Sequence, residues 1–165
     1  MLSHTQIDRL NEQIAGEAYT SRMFLSMSCW AFSKGLNGIG AFFKDHHESE
    51  EEHMHTLMNY LIQTGGKVKV GQVEAPPEEF ESVRAVFQIA LEREVTVSKA
   101  ITTMVDLFLE EKDYSTFQFL QAFVAEQHEE DHLFRMILEK IDLIGDENQG
   151  IFWIDKEIAS LASSK

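Results

Sequence analysis

The sequence holds 165 residues, 44% apolar and 25% charged, a composition suited to one globular domain spanning 1–165. With 14 Lys+Arg against 28 Asp+Glu the net charge is −14, which excludes a basic nucleic-acid surface and suits either cations or plain solvation. Cys29 is the only cysteine, so no disulfide framework, thiolate zinc site or cysteine-ligated iron centre can be built within the chain. No apolar run approaches a membrane span, and residues 1–6 lack a basic start and a hydrophobic signal segment; the expected address is the cytoplasm.

Ser3 and Gln6 are spaced as a capping box, which predicts a first helix from about Thr5 to Ser33. Its apolar seam runs through Ile7, Leu10, Ile14, Phe24, Ala31 and Phe32. Gly35 ends it and Asn37 is expected to cap the second helix, Gly38 to Gln63, whose seam is Ile39, Phe43, Leu57 and Leu61. A long link, Gly65 to Phe80, carries two glycines near its start, the chain's only prolines (Pro76 and Pro77) and alternating Val68, Val70 and Val73. The third helix, Ser82 to Glu111, presents Val83, Phe87, Leu91, Ile101, Val105 and Phe108. The fourth, Tyr114 to Leu143, presents Phe117, Leu120, Val124, Phe134, Leu138 and Ile141. A short amphipathic fifth helix follows Gly150, from Ile151 to Leu161, with Phe152, Trp153 and Ile154 expected at the surface.

The connections set the topology. Short turns make helices one and two, and three and four, antiparallel hairpins. A helix of roughly 28 residues spans ~42 Å, and a nearly extended link of this length reaches ~50 Å. The link can therefore cross the whole bundle, leaving helices two and three parallel. The expected fold is an all-α four-helix bundle with one long crossover and a short fifth helix.

Each seam is interrupted near its middle. At about 100° per residue, Glu17 falls between Leu10 and Phe24, Glu50 between Phe43 and Leu57, Glu94 between Phe87 and Ile101, and Gln127 on the fourth seam. His53 and Glu130 each follow one turn later. Carboxylates gathered in a low-dielectric interior need a compensating charge, and a metal ion supplies it. Glu50-x-x-His53 is the i, i+3 pair that diiron bundles place on one helix, and hard oxygen ligands with imidazole suit iron or manganese. Glu129 and His132 repeat the spacing on the opposite face and are excluded from the centre. His46 is read as a hydrogen-bonding partner behind the ligands, and His4, His47 and His55 as surface residues.

These residues name a resemblance. Leu10-Asn11-Glu12-Gln13, Glu50-x-x-His53, and the stretches Tyr114 to Gln121 and Ala125 to Glu130 resemble the non-haem bacterial ferritins over essentially the whole chain. The resemblance implies a ferroxidase centre, one iron bound by Glu17, Glu50 and His53 and the second by Glu50, Glu94 and Glu130, with Gln127 alongside. It implies a third iron site near Glu126, Glu129 and Glu130, and a homo-oligomeric hollow cage of 24 subunits. The expected chemistry is oxidation of Fe(II) by O2 or H2O2 and storage of the ferric mineral. Haem is not expected, because Glu51 stands where bacterioferritins carry methionine. Three departures matter: Phe24 replaces the family's usual tyrosine, Ser49 a third-site glutamate and Ala122 a tryptophan. They predict an intact diiron site, a weak third site and missing electron donors nearby. The alternatives are a diiron peroxidase or oxidase serving stress defence without storage, and a structural bundle whose acids are merely buried.

Overall fold

The computed structural model describes residues 2–145 and 147–162, and among them it contains five helices and no strand. These are α1 His4–Ser33, α2 Asn37–Gln63, α3 Val83–Glu110, α4 Tyr114–Ile144 and α5 Gln149–Ala162. None is long and apolar enough to cross a membrane.

The helix starts follow the local chemistry. Ser3 and Gln6 exchange hydrogen bonds: Ser3 Oγ accepts from Gln6 N at 3.2 Å, and Ser3 N donates to Gln6 Oε1 at 2.8 Å. Ser82 caps α3 through Ala85 N, and Asp113 caps α4 through Thr116 N. α2 departs from expectation. Asn37 is already helical, and Leu36 occupies the cap with no side-chain bond. The preceding turn is closed instead by its backbone, with Gly35 at φ +77° and Leu36 N donating to Ala31 O at 2.9 Å.

The crossover runs along α1. Asn11 Nδ2 donates to Lys67 O (3.0 Å) and Asn11 Oδ1 accepts from Lys69 N (2.7 Å), a two-bond clamp resembling a strand pairing. Farther on, Ser26 Oγ donates to Pro77 O at 2.6 Å. The link therefore travels from near the start of α1 toward its end, roughly 22 Å along the helix axis for that stretch. Phe80 closes it edge-on against Trp30, with ring centroids 5.5 Å apart. α3 thus starts beside the end of α1 and runs parallel to α2, as the link length requires. α5 caps the same end: Asp155 Oδ1 accepts from Ile39 N at 2.8 Å, and Lys140 pairs with Glu157. The backbone of α5 comes so close that a Cβ on Gly38 would lie 2.1 Å from Asp155 O.

The core has two apolar halves. One, toward α5, gathers Phe24, Phe42, Phe43, Phe87 and Phe134 with Ile154 and Ile158. The other gathers Leu10, Ile14, Leu57, Leu61, Ile101, Phe108 and Leu120. Some expected seam residues lie outside. Phe32 is 45% and Val124 38% exposed, while Phe123, beside Val124, turns inward in its place. Phe32 lies over the α1–α2 turn, against Gly40. Ile154 is buried, leaving only Phe152 and Trp153 of that trio at the surface.

Asn11→Ala should lower the unfolding free energy by about 1–3 kcal/mol, because it orphans Lys67 O and Lys69 N together. Denaturant unfolding measures the loss, and hydrogen exchange should quicken at Lys69 more than at the helix centres.

Candidate metal centre

The four interrupting residues sit at one repeating position. Glu17, Glu50, Glu94 and Gln127 are each flanked seven residues away on both sides by buried apolar side chains: Leu10 and Phe24, Phe43 and Leu57, Phe87 and Ile101, Leu120 and Phe134. Two turns of helix return a side chain to nearly the same face, so a polar residue at this spacing must point inward. In every case one flanking residue belongs to each apolar half. The polar residues therefore form a layer between the halves, and Glu17 and Glu94 are 1% and 0% exposed.

Glu17, Glu50 and His53 can each offer a ligand atom within 4.8 Å of the others'. Glu50 Oε2 and His53 Nδ1 are 3.1 Å apart, the contact that their i, i+3 spacing allows. On the other side of the layer, Gln127 Nε2 donates to Glu94 Oε2 at 2.8 Å, and His46 Nε2 lies 3.0 Å from Glu130 Oε2. Among the described residues, two buried acceptor atoms, Glu17 Oε2 and Glu94 Oε1, have no N–H or hydroxyl donor in hydrogen-bond reach.

Protonation follows from this crowding. Burial, then the neighbouring Glu50 charge, drives the Glu17 carboxyl well above the ordinary carboxylate range, and burial also raises Glu50. Burial pushes Glu94 to about 8, against the bond from Gln127 and with the help of the Glu130 and Glu17 charges. His53 moves upward too, to about 11: burial opposes its charge, but hydrogen bonds to Glu126 and Glu50 outweigh that. Without a cation the layer holds protons that separate carboxylates in water would release. The donor set fits a hard divalent ion, because each such proton can be exchanged for metal charge.

The remaining expected residues scatter. Glu126 Oε2 lies 2.9 Å from His53 Nε2, so Glu126 bears on the rim of the central layer through His53. Glu129 is exposed, as is His132, and Ser49 is half-buried. His46 is buried and touches Glu130 as expected. His47 is not a free surface residue: its Nδ1 lies 2.7 Å from Ser21 Oγ, and its side chain is only 15% exposed. Periodicity along α2 alone misses this because the cover comes from α1. Gln13, which the seam pattern does not single out, donates from Nε2 to Glu17 Oε1 at 2.5 Å. Its position one turn before Glu17 on a buried face was the available signal. Phe24 packs against the layer, stacked at 5.8 Å from Phe43 and 6.0 Å from Phe134 and edge-on to His46 at 5.7 Å.

Comparison with known proteins agrees with this architecture. The family model for the ferritin-like domain matches residues 7–144. The bacterial non-heme ferritin of Campylobacter jejuni is 42% identical over 165 residues, covering 100% of this chain and 99% of its own. A probable bacterial non-heme ferritin-like protein of Haemophilus influenzae is 39% identical, covering 99% of each. Among solved structures, the open pore ferritin of Archaeoglobus fulgidus superimposes with a TM-score of 0.93 at 36% identity, covering 96% of this chain and 98% of its own. The chain belongs to the ferritin family.

Proposed function

We propose that this chain stores iron, oxidising Fe(II) pairwise at the buried layer and passing Fe(III) to a mineral held within a cage of like subunits. The observation that carries the reading is the layer itself: three buried glutamates from three helices, two of them with acceptor oxygens that lack donors. Glu17, Glu50 and His53 would hold one ion, and Glu50, Glu94 and Glu130 the second, with Glu50 between them. Gln127 orients Glu94 and His46 orients Glu130, fixing which carboxylate oxygens face the metals.

The chemistry is substrate oxidation. Two Fe(II) held side by side give up one electron each to O2 or H2O2, and Fe(III), smaller and harder, moves on. Glu126 reaches His53 from the partly exposed side and would be the first carboxylate on the exit path. With Ser49 in place of a carboxylate and Glu129 at the surface, a third iron near Glu126, Glu129 and Glu130 would be held weakly. The net charge of −14 supplies an attractive field for cations. Exposed Phe152 and Trp153 on α5, with Lys156 4.8 Å above the Phe152 ring, give an apolar face suited to another copy in a 24-subunit assembly. The whole chain would act as a single unit in the cytoplasm, without haem.

A diiron peroxidase without storage would share the centre but not the mineral. Mineral growth in excess Fe(II) and O2, followed by light scattering and electron microscopy, separates the two.

Anaerobic calorimetric titration should find two Fe(II) bound per chain with release of protons. Glu17, Glu50 and Glu94 all have raised pKa values and His53 is raised to about 11, so bound protons must leave. Affinity should therefore fall steadily as pH drops from about 8 toward 5, the interval set by the raised Glu94 carboxyl. In stopped-flow oxidation, Glu94→Ala should cut the initial rate by about a hundredfold or more, since even outer partners of ligands are worth ten- to a hundredfold. Glu129→Ala should leave that rate within about twofold.

A further inference from the structure

With O2 as the oxidant and water as the product, the ferroxidase reading leaves an electron deficit. Reduction of O2 to two waters takes four electrons, and an iron pair supplies two. Phe24, against the layer, has no hydroxyl to oxidise. A different tyrosine is joined to His53 by a series of ring contacts.

We propose that Tyr60 is a one-electron donor to the iron centre, reaching it through the packed rings of Phe119, Phe123 and His53; this rests on the ferroxidase reading above. Tyr60 stacks on Phe119 with centroids 3.9 Å apart and planes 8° from parallel. Phe119 meets Phe123 at 5.5 Å, and Phe123 meets His53 at 5.6 Å. The two phenylalanines hold no charge themselves. They fill the gap between Tyr60 and His53 with packed protein atoms, through which an electron tunnels more readily than across an open gap.

The proton has a separate exit. Tyr60 Oη and Thr116 Oγ1 are 2.8 Å apart, and Thr116 Oγ1 donates to Asp113 Oδ2 at 2.7 Å. With the threonine proton turned toward Asp113, the phenol is the donor to Thr116. On oxidation the phenol O–H bond breaks. Its proton moves to Thr116 Oγ1 while the threonine proton moves to Asp113 Oδ2. Asp113, Thr116 and Tyr60 line a polar cleft of about 590 Å³ with Ser3 and Glu111, from which the proton reaches water. The electrons then balance. Two Fe(II) at the centre give two, a further Fe(II) gives one, and Tyr60 gives one. Four protons taken up from solvent complete the two waters, and the other products are three Fe(III), a neutral phenoxyl radical and the proton released through Asp113.

The other two tyrosines lack this arrangement. Tyr114 is 63% exposed. Tyr19 lies beneath the Arg93 guanidinium, 5.0 Å from its ring, and that positive charge opposes loss of an electron. Removing the Tyr60 hydroxyl while keeping the ring isolates the claim.

The test is rapid-freeze electron paramagnetic resonance on the full-length protein mixed with Fe(II) and O2, comparing wild type, Tyr60→Phe, Tyr19→Phe and Tyr114→Phe. A tyrosyl radical should form in the wild type, persist in Tyr19→Phe and Tyr114→Phe, and fall about tenfold or more in Tyr60→Phe. Tyr60→Phe should still bind two Fe(II) and keep its initial oxidation rate, which separates a lost donor from a damaged fold. Fast oxidation with no radical, or with the same radical in Tyr60→Phe, overturns the Tyr60 assignment and leaves the ferroxidase reading standing. Absence of fast oxidation in the wild type overturns both.

Discussion

Everything in this bundle is arranged around carboxyl groups that the interior cannot hold as separate charges. Glu17, Glu50 and Glu94 are all nearly inaccessible, and each has its pKa driven upward chiefly by loss of solvent. An apolar layer of Leu or Phe at these positions would join the two core halves without that penalty. The fold instead spends the stability of both halves on keeping an acidic layer between them. The aromatic half toward α5 gathers Phe24, Phe42, Phe43, Phe87 and Phe134, each fully or almost fully buried. Burial of each such side chain contributes about 1.5–3 kcal/mol, which works against the cost of the polar layer.

The bonds around the layer give it direction. Gln13 holds one oxygen of Glu17, Gln127 one oxygen of Glu94, and His46 one oxygen of Glu130. In the first two residues the opposite oxygen is the one without a donor. Neutral amides suit this task, because they fix a carboxylate without adding charge that would compete with a metal. His53 is held between Glu50 inside and Glu126 outside, so it links the buried layer to the partly exposed flank. The Phe119–Phe123 line approaches that same histidine from the far half of the bundle.

Much of this was legible in the sequence, for definable reasons. The crossover could be read because its glycines, prolines and length leave one path along a bundle of this height. The polar layer could be read because Glu17, Glu50, Glu94 and Gln127 break seams that are otherwise apolar. What escaped depends on a neighbouring element rather than on a helix's own period. Ser21 of α1 covers His47 of α2, and Asn11 clamps a link more than fifty residues away. Tyr60 finds its ring partner and the partner of its hydroxyl on α4. Phe32 and Val124 lie outside the core; a seam drawn at a fixed 100° does not distinguish which of two adjacent residues the next helix covers.

The buried acidic layer carries a cost that the metal-free fold must bear. Glu94 titrates at about 8 when folded, against an ordinary 4.5. A carboxyl raised by folding favours the native state at low pH, and that advantage is lost as pH climbs from its unfolded toward its folded value. Glu94→Gln removes the ionisable group and can keep the bond from Gln127. The measurement is thermal unfolding of metal-free wild type and Glu94→Gln at pH 5 and pH 8–9, with pH 8–9 chosen to reach the folded Glu94 value. The account predicts that wild type melts lower at the higher pH, and that Glu94→Gln melts above wild type there. A Glu94→Gln protein that melts at or below wild type at the higher pH would contradict it.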